Sequence, residues 1–176
     1  ALYSFDPNPD DCSIENMIRQ SIQLIARLPV IMVNAYQVKR RVYDHETMFI
    51  HPLDDKLNTA QTILRSLRPD KNFTEEEARL LDLMLILHAE HGGGNNSTFT
   101  TRVLSSSGTD TYSAIAAALG SLKGPKHGGA NEKVSQMMED VKQNVKDWND
   151  DDELCNYLGK IMRKEAGDGS GLIYGM

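Results

Sequence analysis

The stretch that most restricts the fold is TEEEARLLDLMLILHAEH, Thr74 to His91. Thr74 and Glu77 make the T-x-x-E pattern of a capping box, which opens a helix by satisfying two of its orphan amides. From Leu80 to Leu87 only Asp82 is polar. A helix apolar on nearly every side asks to be buried on nearly every side. The expectation is a central rod whose C-terminal end carries His88 and His91 into the interior.

The rest of the chain reads as helical almost throughout, so the expected fold class is all-α. Ser13 is a candidate N-cap, followed by Ile14, Met17, Ile18, Ile22 and Ile25 at the spacing of one helix face. Pro29 is expected to break or kink that helix, with Val30 to Arg41 beginning another. YDHETMFIHPLDD reads as an irregular connection holding His45 and His51, both taken as structural or surface residues. Lys56 to Leu67 reads as a helix stopped before Pro69. Asn95 can cap a helix to about Ser106, and Thr111 to Leu122 is a small-residue helix suited to close packing or a subunit interface. KGPKHGG is a turn, and Ala130 to about Lys146 is the next helix. The acidic DWNDDDE reads as a solvated turn that can cap a helix from Glu153 to Lys164. Met84, Met137, Met138 and Met162 read as core filling.

Composition excludes several classes. Lys and Arg number 19 against 25 Asp and Glu, a formal charge of -6, so no nucleic-acid partner is expected, since phosphate binding needs a basic face. No apolar run reaches the roughly 18 residues of a membrane span. The two cysteines, Cys12 and Cys155, stand far apart, which predicts free thiols in a reducing, cytoplasmic setting. The start shows no targeting segment and has no Met at position 1, so the chain reads as cut from something longer.

Two constellations carry chemistry. His88 and His91, three residues apart, share a helix face and can point at one place. Gly92 to Gly94 leave room for a ligand or another backbone, and Asn95 sits where a helix N-terminus favours an anion. The alternative is two buried histidines satisfied by backbone carbonyls. In GPKHGGAN, Gly124 to Asn131, Pro125 sets a turn and Gly128 and Gly129 keep the backbone open. His127 falls at or just before a helix start, where the dipole and Lys126 disfavour an imidazolium. An uncharged ring there could donate to a carbonyl that is gaining negative charge; the alternative is a histidine that only caps the helix. His88-Ala89-Glu90 also matches the opening of a zinc-dependent deaminase site, but that chemistry needs a downstream P-C-x-x-C. The chain has none, and no metal is expected.

Taken together, HAEHGGGNNS, the small-residue helices, GPKHGGAN and the late GLIYG resemble the citrate synthase family in order and spacing, over most of the chain. The resemblance implies a multi-helical homodimer with a large and a small domain. Residues 1–126 would be part of the large domain's helical core, and residues 127–176 the start of the small domain. The family condenses acetyl-CoA with oxaloacetate to citrate and CoA; the acyl-CoA is a substrate, and no cofactor is implied. By this resemblance His127 bonds the thioester oxygen and stabilises the enol, His91 contacts oxaloacetate, and His88 and Asn95 line the same pocket. The thioester methyl is a weak carbon acid, so its deprotonation needs a base on one side and a donor to the enol oxygen on the other. In the family a further histidine follows GLIYGM directly, and an aspartate base comes later. The chain is therefore read as an internal fragment, inactive or nearly so alone, whose uncovered apolar faces favour self-association. A 2-methylcitrate synthase using propionyl-CoA and a non-catalytic helical interaction module are the alternatives.

Overall fold

The computed structural model describes residues 1–90 and 92–175. Its helices are α1 (Leu2–Phe5), α2 (Ile14–Tyr43), α3 (Thr59–Leu67), α4 (Glu75–Leu87), α5 (Asn96–Ser106), α6 (Thr111–Leu122), α7 (Ala130–Asn144) and α8 (Asp151–Met162). No strand occurs among the described residues. The all-α expectation holds.

Local chemistry explains where the helices begin. Ser13 accepts from the Asn16 amide at the start of α2. Asn58 and Gln61 form a reciprocal capping box at α3, which therefore begins three residues later than the expected Lys56. Thr74 and Glu77 form the expected box at α4, with Thr74 N–H donating to Glu77 at 2.8 Å and Glu77 N–H to Thr74 at 3.1 Å. Arg68 grips the same Glu77 carboxylate at 2.6 and 3.0 Å. That bond and the Thr74 amide hold Glu77 down at about 2, from an ordinary 4.5. Asp150 accepts from the amides of Asp152 and Glu153, so α8 starts at Asp151. The acidic run thus caps the helix as expected, but α8 begins two residues earlier than Glu153, with Asp151, Asp152 and Glu153 in the favourable first turn.

The chain divides into two compact units, Ala1–Ile115 and Ala116–Met176. In the first, α3 packs against both α2 and α4, burying Leu24, Val33, Ala60, Ile63 and Ala78. α2 passes through Pro29 without interruption, against the expected break. The missing Pro amide costs up to about 3 kcal/mol, but Leu24 before it and Val33 after it are both buried, and that burial favours one continuous rod.

One further expectation fails in the first unit, the buried α4 rod, and the face that α2 buries is not the one its apolar spacing marks. The isoleucine face of α2 points outward, with Ile14, Ile18, Ile22 and Ile25 exposed. The buried face carries Asn16, Gln20 and Gln37. These amides serve backbone: Asn16 donates to the carbonyls of Asn8 and Asp11, Gln20 to those of Asn8 and Pro9, and Gln37 to the Leu67 carbonyl at the end of α3. A side chain that satisfies an otherwise orphaned carbonyl can displace an apolar one from the interior. Asp6 joins this cluster, its carboxylate held well below the usual range by the Tyr112 hydroxyl and Arg19. Likewise α4 is not a buried rod. Only Ala78 of α4 is buried, while Leu80, Leu83, Ile86 and Leu87 are exposed, because α3 is the one helix of the unit that packs extensively on it.

The second unit has a small core of Val141, Val145 and Ile161, flanked by Met137, Leu154, Tyr157, Leu158 and Ala166, where α7 meets α8. Of the methionines expected inside, Met138 and Met162 are exposed. No described helix is long and apolar enough to cross a membrane. Cys12 and Cys155 are free and exposed, one in each unit.

Candidate functional site

α4 ends at His88, whose backbone N–H donates to the Met84 carbonyl at 3.1 Å. Its ring Nδ1 lies 2.7 Å from the same carbonyl. A carbonyl oxygen only accepts, so the proton sits on Nδ1, and Nε2 of an uncharged ring is left as an acceptor. This is the backbone-satisfied histidine weighed above, but at an exposed position rather than a buried one. The physical reason is that of the rod: α4 is uncovered at this end, so its last turn does not enter an interior. His91 lies outside the described residues.

The loop after α4 turns at Gly92, whose φ of +74° suits glycine. Its N–H donates to the Glu90 carboxylate, a role the histidine–alanine–glutamate pattern did not suggest. A Cβ on Gly94 would meet nothing within 4 Å, so the loop is bare, as expected from GGG. Asn95 caps α5, its side-chain oxygen accepting from Ser97 N–H at 2.8 Å and Thr98 N–H at 3.1 Å. The cap therefore occupies two of the amides that the sequence reading offered to an anion. His88 and Asn95 stand at the two ends of one short loop in the first unit.

His127 belongs to the second unit and is half-buried. It sits in a turn wound more tightly than expected. The amides of His127 and Gly128 both donate to the Gly124 carbonyl at 2.9 Å. A Cβ on Gly128 would fall 2.0 Å from the Leu122 carbonyl oxygen, and one on Gly129 2.3 Å from that of Pro125. The two glycines do not keep this backbone open; Gly128 lets it close on the end of α6, and Gly129 lets it close on Pro125 within the turn. Gly129 is the N-cap of α7, and the Lys133 amide donates to its carbonyl at 3.1 Å. His127 is thus fixed two residues before the helix cap, at the end where amide dipoles point outward.

A second cluster in this unit has no counterpart in the sequence reading. Asp168 accepts from the Ser170 amide at 3.0 Å, from the Tyr174 hydroxyl at 2.8 Å and from Lys133 Nζ at 3.1 Å. These donors hold its carboxyl well below the usual range, the Ser170 bonds first among them. Lys133, Met137, Asp140, Ile161, Asp168 and Tyr174 help line a cavity of about 220 Å³. In sequence, GDGSGLIYG signals only through the GLIYG resemblance, with no role for Asp168. The Asp-x-Ser spacing of a side-chain turn was the available signal.

Among the described residues no three His, Cys, Asp or Glu converge as metal ligands would.

Comparison with known proteins is consistent across the chain. The family model for the citrate synthase C-terminal domain matches residues 1–176. A citrate synthase of Heyndrickxia coagulans is 35% identical over 140 residues, covering 80% of this chain and 35% of that protein. A 2-methylcitrate synthase 1 of Corynebacterium glutamicum is 35% identical over 163 residues, covering 92% and 40%. A citrate synthase of Synechocystis is 42% identical over 120 residues, covering 68% and 28%. The chain thus spans roughly a third of the length of these curated relatives. With its helices, its two histidine motifs and a family match over its full length, this chain belongs to the citrate synthase family.

Proposed function

We propose that this chain carries one side of an active site that condenses acetyl-CoA with oxaloacetate. It supplies the hydrogen-bond donor to the thioester oxygen and part of the oxaloacetate shell. His127 is the donor. Bonding to the oxygen that gains charge lowers the cost of the enol at the moment it forms. His91, His88 and Asn95 are assigned to the oxaloacetate side. The observation that carries the reading is the His127 turn, whose glycines admit no side chain and hold a half-buried imidazole at the N-terminus of α7. Such a preorganised ring is what an enol-stabilising donor requires, and a capping histidine does not need it.

In this reading residues 1–126 belong to a large domain and 127–176 to a small one. The whole protein is read as a cytoplasmic homodimer; the exposed apolar faces of α2 and α4 support the self-association alone. The aspartate base of the family has no match to its motif in these 176 residues. The chain alone is therefore proposed to turn over slowly, if at all.

Titration with oxaloacetate tests the assignment. At about a hundred times its dissociation constant a ligand adds about 2.7 kcal/mol of stability. The thermal midpoint should rise accordingly, and His91→Ala should remove the rise. A chain whose midpoint ignores both oxaloacetate and acetyl-CoA would instead be a helical interaction module. A second reading, with propionyl-CoA as substrate, is supported by the similarity to the 2-methylcitrate synthase. Comparing midpoint shifts with acetyl-CoA and propionyl-CoA distinguishes the two.

A further inference from the structure

We infer that Asp168 is a positioning residue that locks the 167–174 segment to the first turn of α7 and, through α7, sets the placement of the His127 ring. The inference rests on the reading of His127 as the donor to the thioester oxygen. Three donors converge on this one carboxylate: two from its own segment, the Ser170 amide and the Tyr174 hydroxyl, and one from α7, Lys133 Nζ. The lysine contact alone would count for little, because Lys133 and Asp168 are both partly exposed and such pairs are weak.

The Tyr174 and Ser170 hydroxyl oxygens lie 3.1 Å apart, within hydrogen-bond distance. The Tyr174 amide lies 3.4 Å from the Met137 sulfur, and Lys133 Nζ sits 6.0 Å from the centre of the Tyr174 ring. The segment is thus fastened to α7 at Lys133 and again one turn on, at Met137. Its bends use left-handed glycines, Gly167 at +67° and Gly171 at +78°.

On the other side, no slack separates Lys133 from His127. The His127 and Gly128 amides are tied to the Gly124 carbonyl, and the next residue, Gly129, accepts from the Lys133 amide. Gly128 is pressed against the end of α6 at Leu122, and Gly129 against Pro125 at the start of the turn. A displacement of the first turn of α7 therefore carries the His127 backbone with it. Asp168 touches no substrate in this account; it acts through α7.

The test is NMR on the full chain, reading the His127 ring signals and the exchange of the Ser170 amide. Asp168→Asn should speed Ser170 exchange about tenfold or more, since a bond to a charged acceptor is lost. It should also move the His127 ring signals while far-ultraviolet circular dichroism is retained. Tyr174→Phe removes one donor and should move them less; if Asp168→Asn does not fold, this variant carries the comparison. Tyr157→Phe breaks a bond to Asp140 in the same unit but outside the clasp, and should leave the ring unmoved. Faster Ser170 exchange with an unmoved His127 ring would overturn the inference, as would a Tyr157→Phe shift equal to that of Asp168→Asn. Acetyl-CoA is then titrated into the unaltered chain. A ring that follows Asp168 but ignores acetyl-CoA would sink the catalytic reading of His127, and with it the part of Asp168 in the reaction. A ring that answers acetyl-CoA but ignores Asp168 overturns the clasp alone.

Discussion

Replacing Gly128 by alanine should be among the most damaging one-carbon changes available in this chain, and the structure says by how much. The added Cβ would lie 2.0 Å from the Leu122 carbonyl oxygen and 3.1 Å from its carbon. Both are backbone atoms, which cannot rotate away. The turn and the end of α6 must part by about 1 Å or more before van der Waals contact is restored. Overpacking of this kind costs about 1–3 kcal/mol. Reduced freedom of the unfolded chain returns only about 0.4–1 kcal/mol. A net loss of about 1.3 kcal/mol lowers the melting midpoint by roughly 3–5 °C for a chain of this size. Gly120 supplies the control. It lies inside α6 with nothing within 4 Å of an added Cβ, so Gly120→Ala should stabilise by up to about 1 kcal/mol through helix propensity. Thermal melts followed by circular dichroism compare the two. If Gly128→Ala melts within a degree of the unaltered chain, or shifts in the same direction as Gly120→Ala, the close approach described for the His127 turn is wrong.

Three other outcomes are expected. The Glu77 carboxylate sits at about 2 in the folded chain against an ordinary 4.5, so its contribution is fully present above about 4.5 and is lost as pH falls toward 2. Urea midpoints measured across that window should drop, and Glu77→Gln should flatten the slope while keeping an acceptor for the Thr74 amide. Asn95→Ala removes the acceptor for two α5 amides and should cost about 1 kcal/mol, with faster hydrogen exchange at Ser97 and Thr98; Asn95→Asp should retain the cap. Ile161→Ala empties a site only 1% exposed and should cost about 2–5 kcal/mol. Ile22→Ala, at 61% exposure, should change stability by no more than about 0.5 kcal/mol.

What the sequence made legible was local. Caps at Ser13, Thr74 and Asn95 stand where their side chains predict, because each is decided by a few neighbouring amides. The His127 turn was legible for the same reason, although its glycines proved to serve contact and not openness. Burial was not legible. The run from Leu80 to Leu87 reports what a helix can bury, whereas exposure depends on which other helices lie against it, and here that is chiefly α3. Pro29 misled because a propensity of a few kcal/mol yields to packing on both sides. Of the Asp168 cluster only the local turn to Ser170 had a sequence signal, because the tie to α7 comes from Lys133, 35 residues away, a separation that no local pattern reaches.

The two exposed thiols have a practical use. The chain holds two cysteines, Cys12 in one compact unit and Cys155 in the other, each open to solvent. A fluorescent donor and acceptor attached to them would form a single interatomic ruler with no residue added or removed. Energy transfer along that ruler, recorded as oxaloacetate and acetyl-CoA are added in turn, would register any swing of one unit against the other on the timescale of binding.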